Sequence, residues 1–196
     1  YYIKMTGYAS EGNPYTIKCS AMQYITDINL RGPVAVVTRG QSMNLLASIT
    51  PSDASQKTLQ WSSNDRGVAA VSGNGTETGY AIIRAASMDG SNKSQSTTVV
   101  VKPAKIAMKS MKLKKGDKRK ITIKVKKQKG AFYQYQYATN KKFKKAKLIS
   151  GSYATTTTMR LAKKKKYYVR VRGYVSYDGK RYYGAWSKVK TIYTKK

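Results

Sequence analysis

Apolar and polar residues alternate in short runs along this chain, and β-branched and aromatic residues dominate the runs. Glycine, asparagine, aspartate, serine and proline separate them, which is typical of strands joined by turns. Helical periodicity is nearly absent, so we predict an all-β protein. The predicted strands of the first half are 28–30, 34–37, 42–49, 58–62, 69–71, 81–85 and 97–101. Those of the second half are 106–111, 120–125, 132–137, 146–149, 155–161, 167–174 and 186–193.

Seven short strands in each half predict two Ig-like β-sandwiches in series. The charge changes sharply between the halves. After Lys102 the chain holds 30 of its 39 basic residues and only two of its 8 acids, Asp117 and Asp178, a balance of about +28 (30 − 2). Residues 1–103 carry about +3 (9 − 6). We therefore predict domains at 25–103 and 104–196, joined by a short linker near residues 102–104.

The beginning of the chain is one copy of a weak internal repeat. Residues 2–12 parallel residues 80–90 at a constant offset of 78 positions, and each copy is followed by a polar turn and another apolar run. The simplest interpretation is that residues 1–24 are the final hairpin of a preceding Ig-like repeat. The chain would then be the end of a tandem array.

The composition opposes catalysis and metal binding. The chain has no histidine, the commonest general base and metal ligand. Its one cysteine, Cys19, excludes an internal disulfide and a multi-thiolate zinc site, and we predict a small buried residue there. Eight scattered acids form no dyad or triad by spacing. We therefore predict a non-enzyme without catalytic, cofactor-binding or metal-binding residues.

The first predicted domain carries an ordered set of motifs. They are Gly40-Gln41-Ser42, Ile49-Thr50-Pro51-Ser52-Asp53-Ala54, Leu59-Gln60-Trp61-Ser62-Ser63-Asn64-Asp65, Val68-Ala69-Ala70-Val71-Ser72-Gly73-Asn74-Gly75 and Thr97-Thr98-Val99-Val100-Val101. In these motifs residues 25–103 resemble the bacterial Ig-like group 2 domain of surface and adhesin-type proteins. The resemblance implies an exported bacterial protein. Trp61 lies in mid-strand and is predicted to fill the core between the two sheets.

The second predicted domain has its own motifs. They are Tyr135-Gln136-Tyr137-Ala138-Thr139-Asn140-Lys141-Lys142-Phe143, Tyr167-Tyr168-Val169-Arg170-Val171-Arg172 and Tyr182-Tyr183-Gly184-Ala185-Trp186-Ser187. In these, residues 104–196 resemble the Lys- and Tyr-rich fibronectin type III-like domains of Gram-positive surface proteins. The resemblance implies that Tyr167, six residues after Leu161, forms a tyrosine corner whose hydroxyl caps backbone. It also implies that Trp186 packs at the start of the last strand.

Alternation assigns faces to two strands of this domain. The predicted inward residues are Tyr133, Tyr135, Tyr137, Tyr167, Val169 and Val171. The predicted outward residues are Gln134 and Gln136 on one strand, and Tyr168, Arg170, Arg172 and Tyr174 on the other. The last four are candidate contacts for a ligand or polyanion. The alternative is that both arginines only cover the sheet with their stems.

Further candidate contacts lie at predicted turns. Tyr177 and Arg181 flank a hairpin tip at Asp178-Gly179, and Lys163, Lys164 and Lys165 follow Leu161. Lysine runs at turns and strand ends also serve solubility and block edge-to-edge aggregation. A surface built only for solubility mixes both signs, however, so the scarcity of acids favours a polyanionic partner.

We therefore expect a non-catalytic spacer or adhesion module of an exported bacterial protein, extracellular and either secreted or on the cell surface. Its basic C-terminal domain is expected to associate with an anionic cell-wall polymer or glycan through many weak, salt-sensitive contacts. The alternative is a module that binds a specific glycan or a specific protein, such as a host or cell-surface protein. Nucleic acid is disfavoured because no nucleic-acid-binding motif is present. No apolar run reaches the ~20 residues of a membrane span.

Overall fold

The computed structural model describes residues 21–32, 34–71, 75 and 77–195. These residues form fourteen strands and no helix, which confirms the all-β prediction. The first six strands are β1 (Asp27–Leu30), β2 (Val34–Thr38), β3 (Ala47–Thr50), β4 (Leu59–Ser63), β5 (Gly79–Ser87) and β6 (Ser94–Lys102). The remaining strands are β7 (Met108–Lys114), β8 (Asp117–Val125), β9 (Phe132–Ala138), β10 (Lys147–Ser152), β11 (Thr156–Arg160), β12 (Lys166–Tyr177), β13 (Lys180–Tyr183) and β14 (Lys190–Tyr193). The hairpin predicted within residues 1–24 and the burial predicted for Cys19 rest on residues 1–20, outside the described ranges.

The described chain divides into two compact units. The first comprises 21–31, 45–62 and 84–96, and the second comprises 32–44, 63–83 and 97–195. Strands β5 and β6 have residues in both units, so this division does not follow the predicted boundary after residue 103. The predicted domain bounds therefore stay a prediction.

The first six strands form two sheets. Strands β1 and β3 pair antiparallel, and the other sheet has the order β2-β6-β5-β4. Strand β2 runs parallel to β6, from Val34 opposite Thr98 to Thr38 opposite Lys102. Alternate residues of β5 are buried, as expected for a strand with one face on a core.

The core of the first unit is small. Its buried members are Ile25, Ile28, Leu30, Ala54 and Ala85. Trp61, predicted to fill the core, is only partly buried and packs against the margin of this cluster. Asp89 accepts hydrogen bonds from the backbone N–H of Ile25 at 2.6 Å and of Ser91 at 2.9 Å. Burial raises the pKa of Asp89, but these hydrogen bonds outweigh it and lower that pKa to about 2.

The strand predicted at 69–71 is wrong: these residues form no strand and follow a turn at 66–68 that side chains hold in place. The Asp65 carboxylate accepts hydrogen bonds from the N–H groups of Gly67 and Val68, at 3.0 and 3.1 Å. The Ser63 hydroxyl donates to the Ala69 carbonyl at 2.6 Å. Aspartate and serine side chains thus occupy backbone groups that a ladder would otherwise use.

Strands β7 to β14 form a sandwich of a three-stranded sheet, β11-β8-β7, and a five-stranded sheet, β10-β9-β12-β13 with β14 also on β12. Its buried core comprises Ile106, Met108, Ile121, Ile123, Val125, Tyr133, Tyr135, Met159, Leu161, Tyr167, Val169 and Val171. Tyr137 packs against this cluster. The inward faces predicted for 133–137 and 167–171 are therefore confirmed, since a period of two leaves each strand one core face.

The tyrosine corner is present. The Tyr167 hydroxyl accepts a hydrogen bond from the Ala162 N–H at 3.1 Å. Lys164 turns the chain with a positive φ of 53°. Thr194 holds the loop from the other side, because its hydroxyl donates to the Ala162 carbonyl at 2.6 Å and accepts from the Lys165 N–H at 3.1 Å. The exposed side chains of Lys163, Lys164 and Lys165 thus rise from a fixed backbone.

The segment 174–186, predicted as a loop around a hairpin tip, contains a longer hairpin than expected. Strand β12 continues to Tyr177 and pairs with β13 through a two-residue turn. Asp178 and Gly179 have φ values of 49° and 67°, which fit a type I′ turn. The right-handed twist of such a turn lets the ladder extend to the tip.

The predicted linker is fixed by contacts within the second unit. The Gln128 side chain accepts from the Ala104 N–H at 3.0 Å and donates to the Ala104 carbonyl at 3.3 Å. Pro103 is fully buried against Gly173, where a Cβ atom would lie 2.7 Å from the Pro103 Cβ. The absence of a side chain at Gly173 is therefore required for this close approach.

Candidate functional site

Strand register places the two candidate arginines beside glutamines. Arg170 lies opposite Gln136 and Arg172 opposite Gln134 on the neighbouring strand β9. The Nε of Arg170 donates to Gln136 Oε1 at 2.7 Å, and the Nε of Arg172 donates to Gln134 Oε1 at 2.8 Å. The outward position predicted for both glutamines beside the arginines is confirmed.

Three aromatic rings enclose these guanidinium groups. The Arg170 guanidinium carbon lies 4.2 Å from the Phe143 ring centroid and 4.5 Å from that of Trp186. The Arg172 guanidinium carbon lies 4.4 Å from Trp186 and 3.6 Å from Tyr183. Rings and guanidiniums thus alternate in a row, which we call the arginine ladder: Phe143, Arg170, Trp186, Arg172 and Tyr183. Each such contact is worth about 0.5–2 kcal/mol, more as the cation loses water.

Local backbone geometry positions the ladder rings. Trp186 precedes Ser187, whose hydroxyl accepts from the Val171 N–H at 3.0 Å and whose N–H donates to the Val171 carbonyl at 2.8 Å. Phe143 has a positive φ of 55° in a turn closed by Asn140, which exchanges two hydrogen bonds with Lys144 backbone. Sequence reasoning missed the role of Phe143, because only this turn brings its ring to Arg170.

Burial lowers the pKa of both Arg170 and Arg172. Arginine still remains protonated at neutral pH because its ordinary pKa is far higher. Both ladder arginines therefore keep their charge while rings and amides occupy the positions around it. They do more than cover the sheet with their stems, because the Nε of each is bonded to a glutamine and each guanidinium lies against aromatic rings.

The candidate tyrosines of β12 differ in accessibility. Tyr168 is half-buried, with the Lys166 ammonium 5.6 Å from its ring centroid. Tyr174 points outward by alternation but is only 3% exposed, because Phe132 and Tyr183 cover it at centroid distances of 5.3 and 5.5 Å. Tyr174 therefore lies beneath this surface, not on it. Tyr153, 59% exposed, lies against Phe132 with the ring centroids 3.7 Å apart and the rings tilted by 32°, and it continues the aromatic row outward.

The hairpin-tip candidates also have partners in the second unit. The Tyr177 hydroxyl lies 3.1 Å from the Thr98 hydroxyl, and its ring lies 4.8 Å from the Tyr80 ring. Tyr80, Ser176, Tyr177, Asp178 and Gly179 line an open cleft of about 440 Å³. Arg181 is exposed with its guanidinium 5.0 Å from the Tyr174 centroid, and a hydrogen bond to Tyr183 raises its pKa.

The structure thus does not unite the predicted contacts into one site. Arg170 and Arg172 share the ladder, while Tyr177 belongs to the cleft at the hairpin tip. Lys163, Lys164 and Lys165 lie on the tyrosine-corner loop. Within residues 21–32, 34–71, 75 and 77–195, no three His, Cys, Asp or Glu side chains are grouped to hold a metal ion. The same residues contain no helix long and apolar enough to cross a membrane.

Comparison with known proteins finds a family match for part of the first half of the chain. Residues 24–101 match the model of the bacterial Ig-like domain (group 2), which confirms the predicted resemblance for that segment. Two uncharacterized proteins of Clostridium acetobutylicum are similar to parts of the chain. One is 46% identical over 65 residues, covering 31% of this chain and 7% of the relative. The other is 33% identical over 102 residues, covering 50% of this chain and 26% of the relative.

Among solved structures, the chain is similar to chicken CNTN1 FN1-FN3 domains, with 17% identity and a TM-score of 0.42. The match covers 61% of this chain and 44% of that chain. The described part of residues 104–196 forms the sheets β11-β8-β7 and β10-β9-β12-β13, which are consistent with the Ig-like or fibronectin type III-like sandwich predicted for it. Bacterial Ig-like domains of group 2 occur in bacterial surface proteins, and both domain types are typically non-catalytic.

Proposed function

We propose that this chain is a non-catalytic spacer and adhesion module of an exported bacterial surface protein. Its strongly basic C-terminal sandwich associates with anionic polymers of the cell envelope. The observation that carries this proposal is the charge asymmetry, about +28 after Lys102 against about +3 before it. Two acids, Asp117 and Asp178, offset that charge, and Asp117 is already paired with Arg160 at 3.4 Å.

The association consists of many weak contacts between lysine ammonium groups and polymer anions. Each exposed pair is worth about 0–1 kcal/mol, so affinity comes from number and depends steeply on salt. An extended anionic polymer suits this mode because it meets several lysines at once. The match to a bacterial Ig-like domain supports an extracellular location, where such polymers occur.

The test measures binding of the whole chain to isolated Gram-positive cell walls over a range of NaCl concentrations. We expect binding at ~0.15 M NaCl and its loss near ~1 M, where the Debye length falls to ~3 Å. Walls stripped of their anionic polymers serve as the matched control and should bind little at either salt concentration. Binding that persists at ~1 M NaCl, or on stripped walls, would exclude the electrostatic mechanism.

A second function, specific glycan or protein binding, is favoured by the cleft at the hairpin tip. The Tyr80 and Tyr177 rings meet at 52° beside Asp178, which combines an apolar wall with a hydrogen-bond acceptor. Sugars bind such surfaces by stacking on rings and bonding to carboxylates. Replacing Tyr177 and Arg181 by alanine should abolish salt-resistant binding to a purified glycan or protein ligand, and unchanged binding would reject this second function.

A further inference from the structure

The outer face of the three-stranded sheet carries basic residues together with serine and threonine. Alternation on β8 buries Ile121, Ile123 and Val125, each at most 3% exposed, and turns the intervening residues outward. The register of β8 with β7 and with β11 shows which residues of all three strands point outward together. We call this set the lysine–hydroxyl face; it comprises Ser110, Lys112, Lys120, Thr122, Lys124, Thr156, Thr158 and Arg160.

Cations and hydroxyls are neighbours on this face, although Lys120 and Arg160 also lie opposite each other. Lys124 lies between Ser110 and Thr156, and Thr122 lies between Lys112 and Thr158. Side chains directly opposite on neighbouring strands have Cβ atoms about 4.5–5.5 Å apart. An anion above Lys124 can therefore accept a charge-assisted hydrogen bond from its ammonium and a second bond from an adjacent hydroxyl.

These donors are available. Within the described part of the chain, Lys112 and Lys124 are exposed and form no ion pair, while Lys120 is half-buried and its charge acts on Asp117 without an ion pair. The four hydroxyls make no side-chain hydrogen bond to another described group. Arg160 is the exception, since it pairs with Asp117 at the margin of the face. Arg170 and Arg172 differ from these lysines, because the Nε of each is bonded to a glutamine and each guanidinium lies against aromatic rings.

The composition of the face selects among anions. Its free cations are lysines, which bind phosphate as point charges, whereas carboxylates are matched best by the paired donors of arginine. None of its eight outward residues is aromatic, so it offers no platform on which bases stack. Its hydroxyls can both donate and accept, which suits a ligand that carries hydroxyls between its phosphates.

The geometry points to the lysine–hydroxyl face as the binding surface for a linear polyol-phosphate polymer, a chain of phosphodiesters linked by hydroxyl-bearing units. This inference rests on the proposed function and names both the surface and the ligand class. Successive phosphates lie along the rows of the sheet, where lysines neutralise them and Ser and Thr hydroxyls bond to oxygens of phosphate and polyol.

The test uses the whole chain and purified poly(glycerol phosphate) at ~0.15 M NaCl. The triple variant Lys112→Gln, Lys120→Gln, Lys124→Gln removes three charges from the face. The matched control, Lys163→Gln, Lys164→Gln, Lys165→Gln, removes the same charge from the tyrosine-corner loop. We expect the face variant to weaken binding about 10-fold, from three contacts each worth a little over twofold, and the loop variant less than about 3-fold.

A further variant, Thr122→Val with Thr158→Val, keeps the charge and tests the hydroxyls; we expect about a 3-fold loss. Circular dichroism verifies that each variant is folded. Equal losses in the face and loop triples would overturn the assignment of the face but leave the proposed function standing. No binding of the unaltered chain to this polymer, despite binding to cell walls, would overturn the ligand class alone. No binding to either would overturn the proposed function itself.

Two competing polyanions complete the test. Duplex DNA and a polycarboxylate of matched charge are measured with the same variants. We expect both to bind more weakly and to lose less than poly(glycerol phosphate) in the Thr→Val variant, because neither has polyol hydroxyls that bond to Thr122 and Thr158 in addition to its anions. Tighter binding of either polymer, with the same loss in the face triple, would reject the polyol-phosphate assignment.

Discussion

The two outer faces of the C-terminal sandwich carry positive charge in opposite ways. On the five-stranded sheet, Arg170 and Arg172 are fixed between aromatic rings and bonded to glutamines. On the three-stranded sheet, Lys112 and Lys124 are exposed and unpaired within the described residues. Net charge alone makes these surfaces look equivalent. Only the surroundings of each cation show which of them a ligand can reach.

The difference follows from the side chains themselves. A guanidinium is flat and weakly hydrated, so it stacks on rings and tolerates partial burial. An ammonium is compact and strongly hydrated, and it stays in water until an anion replaces that water. We therefore expect arginines to stabilise this sandwich and lysines to bind its partner, and six variants test this division.

The largest expected effect comes from removing the centre of the arginine ladder. Trp186→Ala leaves both guanidiniums without their shared ring, and we expect a loss of about 3 kcal/mol in the free energy of unfolding. Urea denaturation measures it. Trp186→Phe is the control and should recover about half, since a smaller ring remains. A loss below about 1 kcal/mol for Trp186→Ala would mean that the ladder is not a stabilising element.

A matched pair of methionine substitutions then separates the faces. Arg172→Met removes a ladder cation and leaves the buried Gln134 without this partner, so we expect about 2 kcal/mol of destabilisation. Its effect on binding to poly(glycerol phosphate) should be small. Lys112→Met should do the reverse, with little change in stability and about a 2-fold weaker affinity. Denaturation measures the stability of both variants, and titration measures their affinity for the polymer. Equal losses of stability and equal losses of affinity in the two variants would remove the distinction between the faces.

Tyr135 lies in the core between the two faces and provides a control that touches neither. Its hydroxyl is buried and has no hydrogen-bond partner within the described residues. Tyr135→Phe should therefore stabilise the protein by about 1 kcal/mol without changing polymer binding. Burial raises the pKa of Tyr135 to about 12, so its neutral form favours folding below pH 10 and this contribution is lost as the pH rises towards 12. Denaturation midpoints from pH 9 to 12 should fall less steeply in the variant.

The sequence was sufficient for the features that depend on period and spacing. Alternation placed Tyr133, Val169 and Arg170 on the correct faces, and the six-residue interval from Leu161 located the tyrosine corner. It was insufficient where a side chain is covered by residues distant in sequence. Tyr174 has an outward position but is buried under Phe132 and Tyr183, which alternation along one strand cannot reveal.

The candidate surface shows the same limit. Arg170 and Arg172 could be predicted from the sequence, because they are charged residues within a strand that is otherwise largely apolar. The lysine–hydroxyl face depends on three strands from separate parts of the chain and on their register, with Ser110, Lys124 and Thr156 in one row. No single segment contains that row, so it becomes visible only when the pairing is known.

The smallest expected effect concerns Asp117, the acid at the margin of the lysine–hydroxyl face. A hydrogen bond from the Arg119 N–H, followed by the charge of Arg160, lowers the pKa of Asp117 below its ordinary 3.8 despite partial burial. Because the pKa is lower in the folded state, the Asp117 carboxylate stabilises the fold fully above its ordinary pKa of 3.8. This contribution is lost as the pH falls through the lowered folded-state pKa. Asp117→Asn should therefore lower the melting temperature slightly at pH 7, and this difference should shrink as the pH falls through the lowered folded-state pKa. It also releases Arg160 for the ligand, so affinity for poly(glycerol phosphate) at pH 7 should rise by about 2-fold. Weaker binding in this variant would show that the ordered ion pair, and not the free charge of Arg160, contributes to the face.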